Sequence, residues 1–435
     1  MFIEDEIILH RMMRILILGS GGRECTFAWK LSNELSRENI FIAPGNAGTE
    51  AYGTNISLSL TDFRSIGEFC VTNAITTVLP GGEDTLVAGI RNYFEADAAL
   101  SHIYVFGPDK LGAMMEGSKE FAKKFMNKYG IPTARYQSFV KGEEALAKAF
   151  LRQMKPPYVI KADGLAAGKG VVIPETLEEA EKNIDEMLLN DQFGSAGNTI
   201  VIEEFLTGIE VSCFLMTDGI SYIMLPEAKD YKRIGENDTG LNTGGMGAVS
   251  PVPFADKVFM QKVIERIAEP SMRGLQAENI QYRGFLFMGL INVNGEPYVI
   301  EYNCRMGDPE TEVVMPRLNN KLSDLIQHAA NGTFSNIVPS FSEDFCCTVM
   351  LVSGGYPGDY KKGMEIQMNM NTDSLYIHAG TVLKNNQILT SGGRVMAITS
   401  LGKTLEEAIS RSYKNIQGVS FEGMNYRRDI GKDLL

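Results

Sequence analysis

The chain has 435 residues and a net charge of −13, and its length predicts about two to four domains. An acidic chain of this kind does not bind nucleic acid or an anionic membrane by bulk electrostatic attraction. Six cysteines without a CxxC pair and four scattered histidines disfavour a zinc or dithiol redox centre.

Residues 1–12 contain acidic residues but not the apolar segment of a signal peptide, and we expect them to be an extension before Met13. No apolar run approaches the ~18 residues of a membrane span.

Buried strands alternate with helical segments in the first part of the chain, which predicts a parallel α/β sheet. The strands are expected at 14–18, 40–43, 76–79 and 103–106. Ligands of such sheets bind beyond the carboxyl ends of the strands, and each of these ends contains glycine. Glu24 stands where a dinucleotide-binding turn has its third glycine. The turn predicts a phosphate site for a smaller molecule, with an ordinary tight turn as the alternative.

The segment 158–173 places a loop of small residues and two lysines between two β-branched strands. Backbone N–H groups at glycine and the charge of lysine suit phosphate oxygens. Three residues rather than four separate Gly164 from Gly168, and a strand follows Lys169 and Gly170, so the loop is not a Walker A motif. It predicts a flap that closes over a triphosphate. A glycine-rich hairpin with a solvated lysine is the alternative.

Glu301 and Asn303 lie two residues apart in a predicted strand, so both side chains point to one face. A carboxylate and an amide oxygen suit Mg²⁺ that bridges nucleotide phosphates. Arg305 continues the alternation and is suited to stabilise a transferring phosphoryl group, and Asp308 adds a carboxylate in the next turn. For Glu301 alone, a surface carboxylate at a strand edge is the alternative.

The segment 203–210 leaves a predicted strand and turns. Its backbone groups would pair with an adenine edge, flanked by the apolar side chains of Phe205 and Leu206, and Glu210 is a candidate for ribose hydroxyls. An ordinary acidic turn is the alternative. The glycine-rich segment 238–248 is expected to be a long irregular loop with a function.

Helices are expected from about 116 to 129 and at 256–278. The dipeptide Asn294-Gly295 predicts a hairpin between strands at 284–292 and 297–302.

In these motifs the chain resembles the phosphoribosylamine–glycine ligase (glycinamide ribonucleotide synthetase) family of ATP-grasp enzymes. The resemblance extends from about residue 13 to the C-terminus. The matching segments are GSGGRE at 19–24, APGNAGT at 43–49, EGSK at 116–119, IKADGLAAGKGV at 160–171, VIEEFLTGIEVS at 201–212, DTGLNTGGMGA at 238–248, IEYNCRMGDPETE at 300–312, SGGYPGDY at 353–360, HAGT at 378–381 and SGGRV at 391–395.

The resemblance implies an α/β fold with an N-terminal parallel α/β (pre-ATP-grasp) domain and a small C-terminal α+β domain around an ATP-grasp domain with a mobile flap subdomain. The implied boundaries are 13–115, 116–333 with the flap at about 130–195, and 334–435. It also implies a cytoplasmic, monomeric ligase of purine biosynthesis without nucleic-acid or membrane partners. ATP would convert glycine into glycyl phosphate, and the amine of 5-phosphoribosylamine would attack it, giving glycinamide ribonucleotide, ADP and phosphate.

The same resemblance implies roles for individual residues. ATP would be held by Lys119, Lys161, Gly164, Gly168, Lys169, Gly170, Glu203, Glu204, Phe205, Leu206 and Glu210, and Mg²⁺ or Mn²⁺ by Glu301 and Asn303. Phosphoribosylamine would face Gly21, Gly22, Arg23, Asn46 and Glu83, while Asp230, Arg305 and Asp308 would border glycine and the acyl phosphate.

The chain departs from the family pattern at Cys25, Lys229, Tyr231 and Leu241, near the expected substrate contacts. Two alternative functions are another ATP-grasp enzyme, such as a carboxylase that uses bicarbonate, and a nucleotide sensor without turnover. A dinucleotide oxidoreductase is disfavoured, because the second strand does not end in the acid that would bind an NAD ribose.

Overall fold

The computed structural model describes residues 13–165, 170–189 and 198–435. Its N-terminal part is a five-stranded parallel sheet of order β3-β2-β1-β4-β5, which confirms the predicted parallel α/β sheet. The strands are β1 (Ile15–Gly19), β2 (Ile40–Pro44), β3 (Thr54–Asn55), β4 (Thr77–Pro80) and β5 (Tyr104–Val105), and the helices are α1 (Gly22–Ser32), α2 (Phe63–Thr72), α3 (Glu83–Val87) and α4 (Ile90–Ala96).

The central strand β1 is apolar throughout because it is buried on both faces. Its alternate side chains enter two different cores, Leu16 and Leu18 on one side and Ile15 and Ile17 on the other. A strand covered on both faces reads as a continuous apolar run, as strands of parallel sheets do.

The second sheet is antiparallel, has four strands in the order β6-β9-β7-β8, and contains its own small core. Its strands are β6 (Tyr136–Val140), β7 (Tyr158–Ala162), β8 (Val171–Val172) and β9 (Thr199–Glu204). The helices α7 (Glu144–Leu151) and α8 (Leu177–Leu189) pack against it. The helices α5 (Met114–Gly117) and α6 (Lys119–Lys128) precede it in the chain. The helix expected from 116 to 129 is divided at Ser118, whose hydroxyl caps α6.

The largest sheet has eight strands in the order β16-β15-β10-β11-β14-β17-β22-β19. Its elements before residue 334 are β10 (Ile209–Thr217), β11 (Tyr222–Asp230), β14 (Gly247–Ser250), β15 (Gly284–Val293) and β16 (Glu296–Asn303), accompanied by the hairpin β12 (Arg233–Gly235) and β13 (Thr239–Asn242) and by the helices α9 (Lys257–Val263), α10 (Glu269–Ala277), α11 (Thr311–Val314) and α12 (Leu322–Asn331).

The C-terminal region completes this same sheet. Its elements are β17 (Phe345–Val352), β18 (Gln367–Met368), β19 (Leu375–His378), β20 (Thr381–Lys384), β21 (Gln387–Thr390), β22 (Arg394–Gly402), β23 (Val419–Ser420) and α13 (Leu405–Ile416). Because β14 pairs with β17 from Gly247↔Val349 to Ser250↔Cys346, the sheet runs through the predicted domain boundary without interruption. No helix of the described residues has the length and apolarity to cross a bilayer.

Two segments differ from the sequence-based expectations. The expected irregular loop at 238–248 is partly ordered, since Thr239–Asn242 pairs with β12 and β14 begins at Gly247. The expected helix at 256–278 contains a π-helical turn at Ile264–Ala268 between α9 and α10. The predicted hairpin at Asn294–Gly295 is present, with φ of +53° and +86°, the conformation that this dipeptide favours in two-residue turns.

Met350, in β17, is fully buried in the core beside the junction of β14 and β17. Met350→Ala should lower the free energy of unfolding by about 2–5 kcal/mol, because it leaves a cavity in a packed core. The control Met370→Ala changes a side chain that is 58% exposed, and we expect a change of at most about 0.5 kcal/mol. Chemical denaturation measures both variants. Equal changes would contradict a packed core at the pairing of β14 with β17.

Candidate active site

The side chains predicted to bind phosphates and metal line one cavity. It has a volume of about 200 Å³ and lies where α5 and α6, the four-stranded sheet and β16 meet. Of the predicted residues, its lining includes Glu83, Lys119, Lys161, Gly170, Glu203, Glu301, Asn303 and Arg305. The fold therefore brings together residues from segments that are far apart in the chain.

The N-terminus of α6 is fastened to the loop after β7 by Asp163. Its carboxylate accepts hydrogen bonds from Ser118 Oγ at 3.0 Å and from Glu120 N at 2.7 Å. Such bonds cap a helix N-terminus. They place Lys119 beside the loop, where its Nζ donates to Gly164 O at 3.1 Å. Burial lowers the pKa of Lys119.

Glu203 forms ion pairs with two lysines on the cavity wall. Its Oε2 lies 2.8 Å from Lys123 Nζ, and its Oε1 lies 2.9 Å from Lys161 Nζ. Burial lowers the pKa of Lys123 to about 8. Burial opposes ionisation of Glu203, but the two lysines outweigh this effect and lower its pKa. One positive charge is left over in this trio, and it faces the cavity that would receive phosphate.

Glu301 and Asn303 both face the cavity from β16. Burial opposes ionisation of Glu301, but Lys232 and Lys161 outweigh it and lower the pKa, so that the carboxylate is charged. The described residues contain no group of three or more His, Cys, Asp or Glu that could hold a metal ion. A carboxylate and an amide oxygen fit an ion that takes its other ligands from water and phosphates, as Mg²⁺ does.

Arg305 bridges the N-terminal domain and the cavity. Its Nε lies 3.1 Å from Glu83 Oε2, and its Nη2 lies 2.5 Å from Glu116 Oε1. Glu116 Oε2 accepts a hydrogen bond from Cys304 N at 2.8 Å, which fixes the backbone beside the arginine. Burial opposes ionisation of Glu83, but Arg305 and Arg23 outweigh it and lower the pKa to about 2. Arg305 is thus held in one orientation by two carboxylates.

Backbone N–H groups at the turn before α1 donate hydrogen bonds to carboxylates of the protein. Gly21 N donates to Glu24 Oε2 at 2.6 Å, and Arg23 N donates to Asp308 Oδ2 at 3.3 Å. Arg23 also bonds Glu24 and the carbonyl of Met306. Carboxylates of the protein therefore accept hydrogen bonds from this helix N-terminus, where an anion would bind. The phosphate site predicted at this turn stays a prediction.

Asn46 is buried, and its amide holds the turn after β2 in place. Its Nδ2 donates to the carbonyls of Ser20 and His378, each at 2.9 Å. Its Oδ1 accepts from Gly48 N and Thr49 N. Asn46 therefore links the N-terminal turns to the C-terminal region, and it shapes the site through backbone positions.

Arg394, at the start of β22, reaches the site from the C-terminal region. Its Nη1 donates to the carbonyl oxygens of Gly244 and Asp308, and its Nη2 lies 3.1 Å from Asp308 Oδ1. Nearby Asp230 Oδ1 is buried and accepts no hydrogen bond from the described residues. Burial raises the pKa of Asp230. A cationic substrate group beside it would restore its charge.

The predicted adenine segment follows the end of β9. The ladder ends at Glu204, whose carboxylate accepts a hydrogen bond from Arg135 N at 2.8 Å. Phe205 is 41% exposed and Leu206 is half-buried, and neither lines the cavity described above.

Glu210 lies outside this cavity, in a small cleft that it shares with Asp230 and Glu301, and its Oε2 lies 2.7 Å from Lys232 Nζ. Gly168 and Lys169 lie outside the described residues.

Two departures from the family pattern point away from the site. Lys229 and Tyr231 flank Asp230, the last residue of β11, so their side chains point to the side opposite that of Asp230. Both contact the carboxylate of Asp433 near the C-terminus, Tyr231 Oη at 2.5 Å. Cys25 is fully buried in the core between α1 and the C-terminal strands.

Leu241, the remaining departure, is 65% exposed on β13.

Several residues of the site carried no role in the sequence-based interpretation. They are Glu116, Lys123, Lys232 and Arg394. Glu116 and Arg394 lie inside the recognised segments EGSK and SGGRV, and those segments were the available signal. Lys123 has no sequence signal beyond its position in an amphipathic helix.

Family models match most of the chain. They are those of the phosphoribosylglycinamide synthetase N domain at 13–116, the ATP-grasp (A) domain at 117–311 and the C domain at 346–433. The chain belongs to the phosphoribosylglycinamide synthetase family. It is therefore an ATP-dependent ligase.

Relatives agree with this assignment. A protein of Fusobacterium nucleatum named phosphoribosylamine–glycine ligase is 42% identical over 96% of this chain and 98% of its own length. The crystal structure of a Thermotoga maritima protein of the same name superposes with a TM-score of 0.82 at 36% identity, over 96% of this chain and all of that one (100%).

A biotin carboxylase domain from Hydrogenobacter thermophilus, solved with MgADP and bicarbonate, has a TM-score of 0.72 at 16% identity, covers 96% of this chain and 92% of its own, and shares the fold.

Glu203→Ala should lower the free energy of unfolding by about 3–5 kcal/mol, because it leaves two buried lysines without their shared partner. The control Glu204→Ala removes the neighbouring carboxylate on the exposed side of β9 and should cost about 1 kcal/mol, the value of one hydrogen bond. Equilibrium denaturation measures both variants. Equal losses of stability would contradict the pairing of Glu203 with the two lysines.

Proposed function

We propose that this chain joins glycine to 5-phosphoribosylamine through glycyl phosphate, in the cytoplasm and as a monomer. The observation that carries the proposal is the cavity in which Lys119, Lys161, Glu301 and Asn303 meet Arg305 at the contact with the N-terminal domain. The products are glycinamide ribonucleotide, ADP and phosphate.

The residues of the cavity supply charge and orientation. Lys119 and Lys161 bind the phosphate oxygens of ATP, because both ammonium groups are held at the cavity wall. Glu301 and Asn303 would hold Mg²⁺ or Mn²⁺, which when bound neutralises phosphate charge and polarises the transferred group. Carboxylate activation of this kind depends on cations, on alignment and on exclusion of water.

The acceptor side of the site is acidic. Asp230 offers a carboxylate oxygen without a hydrogen-bond donor among the described residues, which suits the ammonium group of glycine. Arg305 suits the carboxylate of glycine or the transferred phosphoryl group. The turn at Gly21–Arg23 and Glu83 face the sugar amine and its hydroxyls, and Glu203–Leu206 and Glu210 remain the proposed contacts of adenosine.

ADP release under two conditions tests the function. The assay contains ATP, MgCl₂ and phosphoribosylamine generated in place from ribose 5-phosphate and ammonia, with either glycine or bicarbonate added. We expect release that depends on glycine and on the sugar amine together. Release with bicarbonate alone would favour a carboxylase, and binding of ATP without release would favour a sensor.

Glu301→Ala should reduce turnover by at least about 100-fold. Loss of a residue that only supports a metal ligand already lowers metal affinity or activity by about 10- to 100-fold, and Glu301 would be a ligand itself. Its thermal unfolding should remain cooperative. Glu296→Ala, at the opposite end of β16 and paired with surface cations, is the control and should keep the wild-type rate. Full activity in Glu301→Ala would refute the metal assignment.

Lys161→Ala should raise the KM for ATP by about 10- to 100-fold, because a hydrogen bond to a charged group contributes about 1.5–3 kcal/mol. Lys182→Ala removes an ammonium group on an exposed face of α8, where its side chain is 75% exposed, and serves as the control. An unchanged ATP dependence in Lys161→Ala, measured by steady-state kinetics, would contradict the phosphate-binding role.

A further inference from the structure

Two buried carboxyl groups lie against the glycine turn of the N-terminal domain. A Cβ atom placed on Gly22 would lie 2.2 Å from Glu312 Oε1 and 3.7 Å from Asp308 Oδ1. A Cβ atom placed on Gly21 would lie 2.9 Å from Asp308 Oδ2. The two glycines therefore allow both carboxyl groups to approach the backbone and each other.

Glu312 is fully buried and lacks donors. Its exposed fraction is 0%, and neither of its carboxyl oxygens accepts a hydrogen bond from any described residue. Asp308, in contrast, accepts from Arg23 N and lies 3.1 Å from Arg394 Nη2. A buried carboxylate without a donor is costly, so a group in the position of Glu312 binds a proton instead.

The groups around Glu312 lead to the same result. Arg23 and Cys25 approach it from α1, Asp308 from the preceding turn, Arg394 from β22 and Cys346 from β17. Asp308 already has Arg394 as its ion-pair partner and accepts a hydrogen bond from Arg23 N. A second negative charge on Glu312 would therefore lie directly against the charge of Asp308.

The pKa directions agree with this geometry. Burial and the neighbouring Asp308 raise the pKa of Glu312 well above its usual range. Burial opposes ionisation of Asp308, but Arg394 and Arg23 outweigh it, and with a hydrogen bond from Glu312 they lower the pKa of Asp308.

We propose that Glu312 is a positioning residue that stays protonated and donates its carboxyl hydrogen to Asp308. The hydrogen bond holds Asp308 ionised and oriented toward the substrates, beside the turn that faces the sugar amine. This role rests on the proposed function, whereas the proton on Glu312 does not depend on it. Glu312 touches no substrate itself, because it is completely covered.

A pair of substitutions tests the hydrogen bond. Glu312→Gln keeps a neutral donor of the same shape and should retain kcat within about threefold, since that change corresponds to less than ~1 kcal/mol. Glu312→Leu removes the donor and should lower kcat by about 10- to 100-fold, the value of a hydrogen bond to a charged group. An equal loss in both variants would show that the carboxylate must be ionised, and an unaffected Glu312→Leu enzyme would show that no hydrogen bond is used.

Two measurements on wild type and Glu312→Gln need no catalysis. The difference between infrared spectra of wild type and Glu312→Gln at neutral pH should contain the band of one protonated carboxyl group that is present in wild type and lost in the variant. Thermal unfolding supplies the second measurement. Because the folded-state pKa of Glu312 is raised, its contribution to stability is complete at acidic pH and is lost as the pH rises toward that value.

Glu312→Gln should therefore become more stable relative to wild type as the pH increases from 5 to 8. Absence of the infrared band together with a pH-independent stability difference would overturn the proposal, even if Glu312→Leu fails to fold. If wild type releases no ADP in the presence of glycine, the proposed function fails, but these two measurements still decide where the proton is.

Discussion

Pairing of buried charge is the constraint on which the site depends. Arg305 lies between Glu83 and Glu116, Glu203 lies between Lys123 and Lys161, and Asp308 lies between Arg23 and Arg394. A charge removed from water is tolerated only with a partner of opposite sign and good geometry. Each pair also joins segments that are distant in the chain, so that the interactions that balance charge also assemble the site.

The proposed function assigns different chemistry to two parts of the site. Lys119, Lys123 and Lys161 line the part proposed to bind the nucleotide. Asp308 and Glu312 lie against the N-terminal turn, in the part proposed to bind the sugar amine. In this proposal the triphosphate would contact ammonium groups, and the amine would contact carboxyl groups.

The sequence was sufficient to predict elements whose local signals agree with the fold. The apolar run of β1, the Asn294–Gly295 hairpin and the alternation of Glu301 with Asn303 all report local geometry, and the structure contains each of them. The pairing of β14 with β17 could not be predicted in this way, because it depends on strands that are far apart in the chain. The role of Arg394 was missed for that reason, since only the continuous sheet brings β22 to Asp308.

The phosphate site predicted at the first turn stays a prediction, because the signal for it is not specific. A glycine turn before a helix exposes N–H groups whatever anion binds them, and here the anions are the protein's own carboxylates, Glu24 and Asp308. Lys229 and Tyr231 are close to the site in sequence but not in space. Side chains alternate along the chain here, so both point away from Asp230, and both contact Asp433.

The contact between Asp433 and the residues that flank Asp230 links two sides of one strand. Lys229 and Tyr231 contact the carboxylate of Asp433 on one side, while Asp230 presents its own carboxylate on the other. Asp433 therefore supports the orientation of Asp230 without contacting the cavity, so that a residue remote from the site in the chain contributes to its shape.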